Sequence, residues 1–156
     1  MHIASWRQSL RKRGTVLSIA LSLLLTVTLS GSVYCGEFVT LTPDQIQWVD
    51  VGTNGMRIAN LAGNPSEEGL YVMRIRFPAG MFSQPHFHDR DRFITVIEGV
   101  WYAGTQAEFD KDNTVALPAG SFMKHPAGGV HYDGAKEEAV IVEIRGMGPV
   151  TTTSVN

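Results

Sequence analysis

Pro-Ala-Gly occurs three times in this chain, at 78–80, 118–120 and 126–128, each time close behind a short run of residues that could pair as a strand. Proline fixes φ and withholds an N–H, and glycine accepts the left-handed backbone that a tight turn needs. No regular element runs through such a site, so everything between these turns must be short. The runs themselves have period two. Tyr71, Met73, Ile75 and Phe77 fall on one face of residues 71–77, and Arg74 and Arg76 fall on the other, the pattern of a half-buried strand. Residues 93–97 form a second run, closed by Glu98-Gly99, and 101–103 continues after the turn. Further short runs follow at 114–117, 121–124, 130–132 and 139–144. Short strands at this spacing, punctuated by proline and glycine, predict an all-β sandwich or barrel. The 16 glycines suit a fold with many tight turns.

The N-terminus is different in kind. Arg7, Arg11, Lys12 and Arg13 precede a largely apolar, uncharged run over 16–29, and Ser30, Gly31 and Ser32 follow. This is the layout of a secretory signal peptide over 1–35, with Val33 and Cys35 at the small-residue positions and cleavage after Cys35. It places the mature protein in the periplasm or outside the cell. The apolar run is shorter than the ~20 residues that span a bilayer, which weighs against a retained membrane anchor. Lipid on Cys35 would need small residues before it, and Tyr34 is bulky. Cys35 is the only cysteine, so the mature domain has no internal disulfide.

The net charge of -2 contains those four leader cations and no leader acid, so removing them leaves -2 - 4 = -6 on the mature chain. That balance argues against nucleic acid or an anionic membrane surface as partner. Membrane contact is expected only through the targeting segment. Residues 36–54 read as an entry segment, in which Thr42 as N-cap, Pro43 at the first helical position and Gln45 as capping-box partner predict a short helix. The β domain is expected over 55–150.

Beyond the leader the chain has four histidines, 86, 88, 125 and 131. His86-Phe87-His88 is an H-x-H pair, and residues two apart on a strand project from one face, so both imidazoles reach one point. One more imidazole from a neighbouring strand completes a three-histidine metal site. The other reading of these residues is a structural cluster bonded to backbone and water.

The spacing around the histidines resembles both motifs of the cupin superfamily. Gly80, His86, His88 and Gly99 match the first, a glycine, five residues, H-x-H and a later glycine. Gly120, Pro126, Gly128 and His131 match the second. Residues 55–148 carry the likeness. The stretch is also similar to small bacterial cupins related to the metal-binding domain of ChrR-type anti-sigma factors, through Pro-Ala-Gly-Ser-Phe and the late Gly-Met-Gly-Pro. The resemblance implies a jelly-roll barrel in which His86, His88 and His131 bind one divalent transition metal: iron, manganese, zinc, nickel or copper. It also implies a homodimer paired through strand edges, and a small-molecule ligand or substrate.

One position departs from the motif. Arg92 stands where the family has a glutamate ligand. A guanidinium keeps its proton and cannot bind a metal. A unit charge ~6 Å from a divalent ion costs roughly 5 kcal/mol at an effective dielectric of 20. Three arrangements remain: Arg92 turns away to pair with Asp89, Asp91 or Glu98, it holds a substrate carboxylate beside the metal, or the metal is weak or absent. Gln84, Tyr102, His125 and Tyr132 are the further candidates for contact with a substrate, and His125 is also the reserve ligand, its plain alternative being a turn histidine. Three-histidine iron sites occur among cupin-related dioxygenases, cysteine dioxygenase being one. An oxygenase is therefore the first reaction class to test, against a non-catalytic metal or ligand binder or a sensor.

Overall fold

The computed structural model describes residues 38–155, and the signal-peptide reading over 1–35 lies outside them. Six strands pair antiparallel in the order β1 (Val49–Val51), β2 (Met56–Ala62), β3 (Gly69–Phe77), β10 (Val140–Gly148), β5 (Arg92–Glu98) and β8 (Phe122–His125). A second layer holds β7 (Val115–Pro118), β6 (Val100–Gly104) and β9 (Tyr132–Gly134). Beside it lies the pair β11 (Thr152–Ser154) and β4 (His86–His88). Single bridges, Phe82 with Gly134 and His86 with His131, join these two groups. The architecture is all-β, and its two facing antiparallel layers are consistent with the expected jelly roll.

The alternation read from the sequence decides which face is buried. Tyr71, Met73 and Phe77 of β3, Ile94 and Val96 of β5, and Val140, Val142 and Ile144 of β10 are all buried. They meet Trp101 and Ala103 of β6 in one cluster. The opposite face of the same strands is charged: Arg74 donates from Nε and Nη2 to Glu143 Oε2, both at 3.1 Å, and Arg145 Nη2 donates to Glu143 Oε1 at 2.6 Å.

Three strands had no sequence signal. β1 and β11 are only three residues long, and both pair into the fold outside 55–150. In β2 the alternation is blurred by Ala59, Asn60 and Ala62. The short N-terminal helix is corrected: Pro43–Gln45 makes a single 3₁₀ turn. The Thr42 N–H does donate to Gln45 Oε1 at 2.9 Å, as the capping reading required. However, Ile46 is already extended and is 8% exposed, and the chain then enters β1. One turn of helix recovers too few hydrogen bonds to offset its nucleation, and burial of Ile46 takes the backbone elsewhere.

The motif glycine between β5 and β6 shows how tightly the layers are set. Gly99 has φ +75°, and a Cβ there would lie 2.5 Å from the Ala139 carbonyl oxygen. Both the left-handed backbone and the close approach of another strand exclude a side chain. Gly99→Ala is expected to lower the unfolding free energy by about 2–4 kcal/mol, read from the urea midpoint; an unchanged midpoint would show that this turn can relax.

Candidate metal centre

His86 and His88 flank Phe87 on β4, so strand geometry turns both imidazoles inward. The third imidazole is brought in by backbone pairing: the His86 N–H donates to the His131 carbonyl and the His131 N–H to the His86 carbonyl, both at 2.9 Å. The ring centroids lie 4.3 Å (His86–His131), 5.0 Å (His86–His88) and 5.3 Å (His88–His131) apart. One nitrogen from each lies within 4.8 Å of the others.

The tautomers follow from the partners. Nδ1 of His86 faces the Gln84 carbonyl at 2.7 Å, Nδ1 of His88 the Thr151 carbonyl at 3.1 Å, and Nδ1 of His131 the Gly129 carbonyl at 2.9 Å. A carbonyl only accepts, so each Nδ1 carries the proton and each Nε2 is left with its lone pair. Backbone oxygens that fix the ring and its tautomer in this way are the usual outer support of a histidine metal site.

Burial keeps the rings of His88, His125 and His131 neutral. It takes His88 down to about 3, with help from the Arg92 guanidinium. It takes His131 down to about 4, against the opposing pull of the Gly129 carbonyl. His125, 3% exposed, falls to about 2 by burial and by the neighbouring His131 and Arg92. Burial raises the Asp133 carboxyl above its ordinary range. Neutral nitrogen donors in a dry, supported cluster fit a divalent transition metal.

Arg92 adopts none of the surface pairings. Asp91 binds Lys124 Nζ at 2.7 Å and accepts the Ala127 N–H at 2.9 Å, and Asp89 accepts the Thr151 N–H at 2.8 Å. Strand parity places Arg92 on the inward side of β5 with Ile94 and Val96, and its Nη1 donates to Nε2 of His88. The cation thus rests on one of the lone pairs that a metal would use.

His86, His88, Arg92 and Asp133 line a cavity of about 480 Å³ between the layers. Gln84 and His125 line it with Arg92. Tyr102 and Tyr132 do not line it. Tyr102 lies beneath Lys136, whose Nζ is 4.6 Å from the ring centroid. Tyr132 is fully buried on the far side of β9, its hydroxyl between two acceptors, Gln106 Oε1 at 2.9 Å and the Asp110 carbonyl at 2.8 Å, that share its one proton. Each is one residue away from a side chain that does line the cavity, Trp101 and Asp133, and a step of one residue changes the face. Asp133 and Tyr71 also line the cavity, and neither is singled out by the sequence reading. The signal for Asp133 was present: it stands two residues after His131, so a strand through both turns them the same way.

Comparison with known proteins now bears on the family. The model of the ChrR cupin-like domain matches residues 37–150. The chain belongs to the cupin superfamily, in the ChrR cupin-like family. Among solved structures, this cupin resembles the polyketide cyclase RemF from Streptomyces resistomycificus (16% identity, 73% of this chain and 84% of that one, TM-score 0.60). It also resembles an RmlC-like cupin from Shewanella frigidimarina (18%, 73% and 94%, TM-score 0.58) and KdgF from Halomonas sp. (20%, 72% and 94%, TM-score 0.56). At these identities the likeness is one of fold. A comparison with curated proteins gives no match.

The depressed histidines make a prediction for the metal-free protein. An imidazole that stays neutral in the folded cupin, but titrates near 6.5 once unfolded, binds more protons in the unfolded state throughout the range between those values. Stability therefore falls as pH falls below about 6.5. For His88, His125 and His131 the loss is about 1.5 kcal/mol each between pH 6.5 and 5. Urea midpoints measured with chelator at the two pH values test this, and a flat profile would mean that the rings are not desolvated.

Proposed function

We propose that this protein is an exported cupin that binds one divalent transition metal and a small anionic molecule in the same cavity. The observation that carries the reading is a set of buried polar atoms without partners among the described residues. At the cavity they are both ring nitrogens of His125, Nε2 of His131 and Nε of Arg92. His125 and Arg92 line the cavity, and His131 shares a ligand cluster with His86 and His88, which line it. Native interiors seldom strand polar groups, and several converging on one space point to a bound partner.

The roles follow from chemistry. His86, His88 and His131 hold the metal through Nε2. Arg92, with Gln84 and the Tyr71 hydroxyl, binds the anionic head of the ligand. Met73, Ile94 and Val142 receive its apolar body and keep water away. When bound, the metal would supply Lewis-acid or redox chemistry to a molecule held in this way. A dioxygenase is the reaction class to screen first. The fold accommodates catalysis elsewhere, since RemF is a polyketide cyclase. Export rests on the leader, and a homodimer through strand edges on the family.

One observation favours a second reading. The guanidinium of Arg92 already satisfies Nε2 of His88. A pocket that needed no metal would look like this, and the protein would then be a non-catalytic ligand binder or sensor.

Two measurements separate these readings. Protein purified without chelator is expected to carry about one equivalent of iron, manganese, zinc, nickel or copper by elemental analysis. The triple His86, His88, His131→Ala variant is expected to carry none. If the wild type stays metal-free after reconstitution with each ion, the metalloprotein reading fails and the binder reading stands. Second, Arg92→Met is expected to weaken short-chain carboxylates by about 10- to 100-fold in calorimetry and to leave the matching amides unaffected. Equal losses for both would remove Arg92 from the anion site.

A further inference from the structure

The cavity contains a second group of metal-binding side chains. His125, His131 and Asp133 each offer a ligand atom, and the three atoms lie within 4.8 Å of one another. All three residues are buried, at 3%, 2% and 6% exposure. Both ring nitrogens of His125 and Nε2 of His131 have no hydrogen-bond partner among the described residues. The rings of His125 and His131 lie 3.7 Å apart, and Nε2 of His131 is 3.9 Å from Oδ2 of Asp133. Two atoms bound to one ion at ~2.1 Å are about 3–4.2 Å apart, so 3.9 Å fits a shared ion and 4.8 Å needs only small contraction.

We infer that this group is a second cation position, deeper than the three-histidine site and mutually exclusive with it. The inference rests on the metal-binding reading above and moves the ion within the same cavity. Two points select the deeper position. The first is charge. His86, His88 and His131 offer only imidazole nitrogens, whereas Asp133 adds a carboxyl oxygen that a cation at the deeper position would hold ionised; Arg92 bears on both positions, through His88 at one and beside His125 at the other. The family's acidic ligand is lost at Arg92, and a carboxylate is regained from β9. The second is availability. The Nε2 lone pair of His88 is engaged by Arg92, while both nitrogens of His125 are free. His131 belongs to both groups, and its Nδ1 is committed to the Gly129 carbonyl, so its single Nε2 lone pair serves one ion at a time. The ion therefore occupies the His125–His131–Asp133 position while Arg92 sits on His88. It reaches His86 and His88 only when an anion draws the guanidinium away.

Crystals of the protein grown with cobalt(II), without added carboxylate and at neutral pH, locate the ion by its anomalous signal. The expected result is one peak within bonding distance of both His125 and Asp133. A single peak bonded to His86 and His88 and clear of Asp133 overturns this inference and leaves the three-histidine site intact. No peak, with no cobalt bound in solution, overturns both. In solution, cobalt affinity is expected to fall at least about tenfold in Asp133→Asn and to change less than about threefold in His88→Gln. The reverse order overturns the inference. Should Asp133→Asn fail to fold, as judged by circular dichroism, the wild-type crystal decides alone.

Discussion

The reciprocal backbone pair between His86 and His131 is the contact on which the site depends. It is a single bridge outside any regular strand pairing, with two bonds of 2.9 Å. It ties the half of the second layer that carries β4 to the half that carries β9. Because residues opposite each other in an antiparallel pair send their side chains to the same face, it also fixes where two imidazoles converge. His88 and Asp133 then follow from strand parity, two residues along on each side. One bridge thus sets H-x-H against H-x-D, and a one-residue shift of register there would turn one pair of side chains away from the other.

Electrostatics in this cavity is governed by what has no water to share. Three buried imidazoles remain neutral because protonating them would place charge in a medium that cannot solvate it. The same burial makes the one permanent cation, Arg92, seek any lone pair within reach, and it finds His88. The charge at Arg92 and the charge available at Asp133 are therefore linked. A glutamate at 92 would have placed the negative charge beside His86 and His88. With arginine there, the acidic group of the wall is Asp133, beyond His131, and burial favours its neutral form unless a cation faces it.

Sequence periodicity exposed the elements whose two faces differ most. β3 was plain because Tyr71, Met73, Ile75 and Phe77 alternate with arginines. The H-x-H pair was plain because two histidines on one strand face have few other uses. The parts that stayed hidden have physical reasons. β1 is one arm of a tight hairpin with Met56–Ile58, β11 depends on the distant His86–His88, and three residues carry no period of their own. The 3₁₀ turn at Pro43–Gln45 has the right capping chemistry but lies where burial of Ile46 outweighs local preference. Tyr102 and Tyr132 were placed by residue type, and the registers of β6 and β9 send them away from the cavity. Trp101 and Asp133, their immediate neighbours, face it.

The pairing of Arg92 with His125 across β5 and β8 completes this logic. Directly opposed residues share a face, so the residue that replaces the usual acidic ligand stands beside an extra histidine. Neither substitution can be understood singly. Arginine alone would leave a cation confronting a metal site with nothing to offset it. The extra histidine alone would be a buried base with no partner, stacked between Trp101 at 5.6 Å and His131 at 3.7 Å. Together with Asp133 they make a self-consistent set: a cation that can hold either a lone pair or an anion, and a carboxylate with two imidazoles that can hold a metal. The loss of one ligand from a familiar motif is, in this cavity, accompanied by the means to place charge on both sides of His131.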